Sequence, residues 1–157
     1  RAALEWALDR GVDCGGWCPA GRLAEDGPIP ERFPLRETPS RNYRQRTEYN
    51  VRHSDGTVIL LLGSNLTGGT ALTKKIASGW NRPCLILSRS ITDSPVLKLR
   101  GFIDRNRIET LNIAGPRESG EPGVGEFVRW ILNQAIDVEQ SLCAPYEPNP
   151  NHGITNE

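Results

Sequence analysis

Apolar residues fall into two patterns along this chain: short unbroken runs, and longer stretches in which they recur every three or four positions. Unbroken runs bounded by turn residues mark strands covered on both faces, as in a parallel sheet. Three such strands are predicted. Residues 57–62 are built on Val58-Ile59-Leu60-Leu61-Leu62, residues 84–87 are Cys84-Leu85-Ile86-Leu87, and residues 110–114 centre on Leu111 and Ile113. The helical spacing is clearest near the end, where Val124, Phe127, Val128, Ile131, Leu132 and Ala135 repeat as i, i+3, i+4, i+7. Residues 1–10 place Leu4, Ala7 and Leu8 on one helical face, and Gly11 is a usual stop. Further helices are predicted over residues 40–53, 70–78 and 96–105. The first of these has Ser40 as its cap and Tyr43, Thr47, Asn50 and Val51 on its inner face. Residues 12–17 read as a short strand running into glycines, and residues 18–34 as a long loop rich in Gly and Pro. Residues 36–38 read as briefly extended.

Strands that alternate with helices give a parallel sheet with right-handed crossovers. The expected architecture is α/β: a Rossmann-like, doubly wound parallel sheet in a three-layer α/β/α sandwich. Residues 1–139 form one ligand-binding domain, and residues 140–157 a polar tail expected to be flexible. The chain opens inside a helix pattern, so a strand upstream of Arg1 is expected to be missing from the sequence in hand. In such folds ligands sit beyond the carboxyl ends of the strands. That rule directs attention to three loops: from Gly15 onward, over residues 63–70, and over residues 115–125.

Charge and cysteine content narrow the function classes. Nineteen basic and nineteen acidic residues leave no net charge among 157 residues. Nothing therefore suggests nucleic acid or a charged membrane surface as partner. No apolar run reaches the roughly 20 residues of a membrane span. Cys14, Cys18, Cys84 and Cys143 are scattered without metal-ligand spacing, so no metal site is expected. They read as reduced thiols of a cytoplasmic protein.

Three constellations carry candidate chemistry. Thr67-Gly68-Gly69-Thr70 joins the central strand to a helix. Glycines let backbone amides approach an anion, a helix N-terminus adds partial positive charge, and Thr67, Thr70 and Thr73 offer hydroxyls. No Lys-Ser or Lys-Thr follows at the spacing of a Walker loop. Gly115 and Arg117 lie after the third strand, where Arg117 can grip a phosphate with two hydrogen bonds; a solvated loop is an equal alternative. The long first loop brings Gly16, Trp17, Cys18, Arg22, Glu25 and Asp26. Trp17 can stack on a flat ring, or it can simply plug the core. Arg22 can meet a phosphate, or pair with Glu25 or Asp26 in an empty site. No catalytic residues are assigned. His53 and His152 stand in no triad or metal motif, and nothing shows activation of Cys18.

Several segments together resemble the family known as putative molybdenum carrier proteins. They are Ala2-Ala3-Leu4-Glu5-Trp6-Ala7, Gly15-Gly16-Trp17-Cys18-Pro19, Gly21-Arg22, Ala24-Glu25-Asp26-Gly27-Pro28-Ile29-Pro30, Leu66-Thr67-Gly68-Gly69-Thr70 and Asn112-Ile113-Ala114-Gly115-Pro116-Arg117. Asn50-Val51-Arg52 and Ser54-Asp55-Gly56-Thr57 belong to the same resemblance. It covers most of the chain up to about Gln134. It implies a Rossmann-like fold of the lysine-decarboxylase-like (SLOG) superfamily, a homo-oligomer, and a molybdopterin or related nucleotide derivative as ligand. The expected function is binding or carriage of a phosphate-bearing small molecule. A sensor, or a hydrolase acting on another nucleotide-derived ligand, is the alternative. Against the hydrolase stands Thr73, which occupies the place where the related phosphoribohydrolases carry a catalytic Glu. For the oligomer contact, the helix over residues 40–53 is the candidate.

Overall fold

The computed structural model describes residues 1–136; the predicted tail at 140–157 lies outside the described residues. The elements follow in the order α1 (Ala2–Arg10), β1 (Gly16–Cys18), β2 (Leu23–Ala24), β3 (Gly27–Pro28), β4 (Leu35–Glu37), α2 (Tyr43–Arg52), β5 (Gly56–Leu61), α3 (Gly68–Gly79), β6 (Cys84–Ser88), α4 (Pro95–Asn106), β7 (Leu111–Ala114) and α5 (Val124–Ala135).

The longest apolar run becomes the central strand. Every residue of β5 is buried, and it pairs in parallel with β6 on one side and β7 on the other, with Ile59 opposite both Ile86 and Ala114. Its alternating side chains serve two cores. Val58 and Leu60 join a cluster with Trp6 of α1, Leu99 and Phe102 of α4, and Phe127, Ile131 and Leu132 of α5. On the other side Val51 of α2 packs with Ile76 and Ala77 of α3. Helices thus cover both faces of a parallel sheet, which is the three-layer α/β/α sandwich. All six apolar positions read for the last helix are buried in α5. Complete burial of side chains such as Ile131 and Leu132 contributes about 1.5–3 kcal/mol each.

Beside this sheet, β1 and β4 form a separate parallel pair, with Trp17 opposite Arg36. The strand therefore lies over Gly16–Cys18 rather than over residues 12–17. The long loop also holds a small antiparallel hairpin, β2 with β3, turning at Glu25 and Asp26. Other differences follow from local bonding. In α1, Trp6 is buried and Leu8 is exposed, because the Trp6 indole N–H donates to Asn133 Oδ1 of α5 at 2.8 Å. Gly11 ends that helix in the left-handed conformation, as expected. Helix α2 is capped by Asn42, whose Oδ1 accepts the Arg44 amide at 2.9 Å, while Ser40 stands two residues earlier and accepts the Asn42 amide. Tyr43 accordingly lies at the first turn and is exposed. Helix α3 opens at Gly68 rather than Thr70, because the Thr67 amide bonds Thr70 Oγ1 across the first turn. Among the described residues no helix is long and apolar enough to cross a membrane.

Candidate functional site

Helix α2 leads through a tight turn into β5, and α3 leaves from the other end of that strand. Both helices therefore direct their N-termini toward the carboxyl end of β5. At α3, Gly68 and Gly69 are exposed, and a Cβ on either would meet nothing within 4 Å. Gly68 has a φ of +47°, a conformation that favours glycine. The first amides of an α-helix have no partner within it and sit at the positive end of its dipole. The threonines contribute less than the sequence suggested. Thr70 and Thr73 are buried, and their hydroxyls donate to the carbonyls of Thr67 (2.7 Å) and Gly69 (2.8 Å). Backbone amides, not hydroxyls, are what this turn presents, with the side chain of the exposed Thr67 beside them.

The loop after β7 crosses close to β5. A Cβ on Gly115 would lie 2.6 Å from the Leu60 carbonyl oxygen, so only glycine fits there. Glu121 anchors the loop by accepting the Leu62 amide at 2.6 Å. Glu118 accepts the amides of Gly123 (2.6 Å) and Gly125 (3.1 Å), which closes the N-terminus of α5 with a carboxylate. These backbone hydrogen bonds hold the Glu118 carboxyl below the usual glutamate range. Arg117 stands free of that anchor. It pairs with Glu25 of the hairpin turn at 3.7 Å, and its guanidinium lies 5.4 Å from the centre of the Tyr43 ring. The first loop and the third loop therefore meet through Glu25 and Arg117.

On the same ring, 5.7 Å from its centre, lies the guanidinium of Arg46. Burial pulls the Arg46 pKa down, and the neighbouring charge of Arg117 acts in the same direction. Its Nε is buried and has no hydrogen-bond partner among the described residues. Tyr43 and Arg46 escaped the sequence reading, which placed Tyr43 in the core and gave Arg46 no role. A signal was present. Arg41, Arg44 and Arg46 gather at the start of α2, whose first turn holds no acidic residue, so positive charge stands against the positive end of the dipole.

Other residues of the first loop are occupied with holding it together. Arg22 donates to the carbonyls of Ile29 (2.8 Å), Leu35 (3.1 Å), Pro30 (2.9 Å) and Phe33 (2.9 Å), and so pairs with neither Glu25 nor Asp26. Asp26 instead pairs with the Arg1 guanidinium. Trp17 packs against Tyr49 and His53 of α2, at ring-centre distances of 5.0 and 5.5 Å, with Arg36 over its ring at 5.9 Å. Trp17 is thus half-buried against the second half of α2 and its cap, away from Tyr43 and Arg46 in the first half, and it belongs to neither core cluster. Gly16 has a φ of +138°, and a Cβ there would lie 2.9 Å from Asn50 Oδ1, which accepts the Trp17 amide. Cys18 is buried, and burial pushes its thiol pKa up, so it offers no thiolate. Among the described residues no group of three or more His, Cys, Asp or Glu side chains stands together as a metal site would require.

The circularly permutated YpsA SLOG family matches this chain over residues 1–136. The chain belongs to that family. A crystal structure described as that of a "Putative molybdenum carrier protein" from Syntrophus aciditrophicus SB is similar to it. The two share 37% identity, the match covers 87% of each chain, and the TM-score is 0.85. No protein among those with curated function matches. Membership of the SLOG family agrees with the Rossmann-like fold and with the segments that carried the resemblance.

Proposed function

We propose that this protein binds and carries a phosphate-bearing small molecule at the carboxyl ends of β5 and β7. One observation carries the reading: the first turn of α3 is open, with Gly68 and Gly69 exposed and nothing in front of them. A turn that merely packed helix on sheet would be filled by neighbouring side chains. Positive potential from the helix terminus and from Arg117 favours an anion there. The ligand proposed is the molybdenum cofactor, molybdopterin, whose pterin bears a phosphate monoester. The residues present suit that phosphate. Gly68 and Gly69 would hold it with backbone amides and Arg117 with its guanidinium, while the Thr70 amide is held by the Thr67 carbonyl at 3.1 Å. When bound, the cofactor would supply the metal chemistry through its own dithiolene sulfurs, and the protein would supply a place to hold it. The description of the Syntrophus protein as a molybdenum carrier supports this choice of ligand.

Carriage is favoured over hydrolysis because the acids that would stand in for a catalytic Glu are all engaged. Glu25 pairs with Arg117, Asp26 with Arg1, and Glu118 with two backbone amides. Thr73, at the place of the missing Glu, is buried against the Gly69 carbonyl. The reading includes a cytoplasmic location and a homo-oligomeric state. Replacing Gly69 by Val leaves the fold intact, since a side chain there points into open space, but puts bulk where the phosphate would sit. Calorimetric titration of G69V with inorganic phosphate should show affinity reduced by about tenfold or more relative to the original protein. Equal affinity would remove α3 from the site. Mass spectrometry of what co-purifies with the protein would identify the organic part of the ligand.

A further inference from the structure

Arg46 is a half-buried cation without an anionic partner among the described residues. A guanidinium is always charged in proteins, and burying a charge without a partner is costly. Arg46 nevertheless has a buried, unpartnered Nε. Its neighbour Arg117 worsens the position, because it shares the Tyr43 ring with Arg46 and is also positive. The helix dipole at the start of α2 adds to the same sign. Only Arg117 has a carboxylate, Glu25, and that contact is long at 3.7 Å and exposed to solvent. A purely structural arginine in this protein looks different: Arg22 satisfies its donors with four carbonyls.

We propose that Arg46 and Arg117 clamp a tetrahedral, doubly charged oxoanion, the chemistry shared by phosphate, molybdate and the end of a phosphate monoester, and that Glu25 stands in for it on Arg117 when the clamp is empty. Two guanidiniums match two negative charges and present planar forks to oxygen atoms. Tyr43 spaces the two cations and lowers their mutual repulsion through its ring face. The inference takes its location from the reading of the carboxyl end as a phosphate-ligand pocket. It adds Arg46 of α2 as a partner of Arg117, beside the amides of the α3 turn.

The test is calorimetric titration of the full chain with sodium phosphate, and separately with molybdate and phenyl phosphate. The variants are R46M, R117Q and E25Q, with thermal melting in anion-free buffer alongside. R46M and R117Q should each weaken phosphate binding about tenfold or more, while E25Q strengthens it by removing the competing carboxylate. R46M should also melt at the same temperature as the original protein or higher without anion, because it exchanges a half-buried cation with an unpartnered Nε for an apolar chain. A structural arginine would give the opposite, and a marked fall in melting temperature overturns the clamp. So does unchanged phosphate affinity in R117Q, which alters an exposed side chain and keeps the test independent of folding in R46M. Weaker binding in E25Q overturns the stand-in role. Tighter binding of phenyl phosphate than of phosphate assigns an ester end to the clamp, and equal or tighter binding of molybdate assigns a free oxoanion; either supports it. G69V in the same titration separates the two anchors. Loss in G69V alone removes the clamp, Arg117 included, and leaves the α3 amides as the site, whereas loss in R46M and R117Q alone removes the α3 amides and keeps the clamp.

Discussion

Arg22 and Arg46 are the same residue type in opposite circumstances, and nothing in their sequence neighbourhoods reveals which is which. The glycine-rich surroundings of Arg22 suggested a ligand-facing side chain. The fold instead wraps the loop around it, so that carbonyls at Ile29, Pro30, Phe33 and Leu35 converge on one guanidinium. The glycines divide in the same way. Gly69 faces open space, while Gly115 and Gly16 are glycines because a neighbouring carbonyl or amide oxygen leaves no room for a Cβ. Spacing reports that a glycine is needed but not which backbone lies against it, so the members of the site that serve packing were legible only after folding. For Arg22 the consequence is a reversal of the sequence expectation. Arg22→Ala should destabilise the protein by about 1–3 kcal/mol, since it leaves several loop carbonyls without their donor, and should change phosphate affinity little. Chemical denaturation of R22A, with the phosphate titration repeated on it, measures both. A stable R22A that fails to bind phosphate would return Arg22 to the ligand.

At the scale of elements, legibility followed length and periodicity. Helix α5 was readable because six apolar positions repeat over more than three turns, and β5 because five apolar residues stand together. The β2–β3 hairpin was not, since strands of two residues carry no alternation, and its turn at Glu25 and Asp26 has ordinary loop composition. The starts of α2 and α3 were misplaced by two or three residues, because the side-chain bonds of Asn42 and Thr70 that set them compete with equally suitable neighbours. The start of α5 has a cap with a pH signature. Backbone amides of Gly123 and Gly125 hold the Glu118 carboxyl below its ordinary value of 4.5. A carboxyl whose pKa is depressed in the folded state adds stability that is complete above its unfolded pKa. That contribution is lost as the pH falls through the lower, folded value. The original protein should therefore melt above E118Q at neutral pH, and the difference should hold down to about pH 5.5 and shrink steadily below pH 4.5. Melting curves of both proteins from pH 7 to pH 3 check this, and a gap that persists unchanged at pH 3 would show that the carboxylate charge is not what caps the helix.

On the scale of the whole molecule, the described surface is unevenly apolar. Six large hydrophobic side chains are exposed among the described residues, and Ile91, Leu97 and Trp130 all belong to the stretch from β6 through α5. Trp130 is 49% exposed although it stacks on Phe127, and the two rings line a cleft of about 420 Å³ with Thr92, Pro95, Arg89 and Glu126. An apolar cleft with an exposed tryptophan marks an association surface more often than a singly exposed side chain does. Arg89 and Glu126 give the cleft both signs of charge, and neither has a salt-bridge partner among the described residues. A two-fold interface must be self-complementary, with each copy carrying both halves of every pair. This face meets that condition. Helix α2, the contact favoured by sequence, suits it less, because Trp17 and α3 cover much of it and arginines dominate what remains exposed. The homo-oligomer is therefore expected to be a dimer joined across α4 and α5, with Arg89 of each copy facing Glu126 of the other. Light scattering of the full chain should give twice the monomer mass. R89E and E126R should each shift it toward monomer by placing like charges across the two-fold axis, and the double variant R89E/E126R should restore the dimer by exchanging the two signs. A double variant as monomeric as the singles would place the contact elsewhere, and a full chain that is monomeric at tens of micromolar would end the dimer reading altogether.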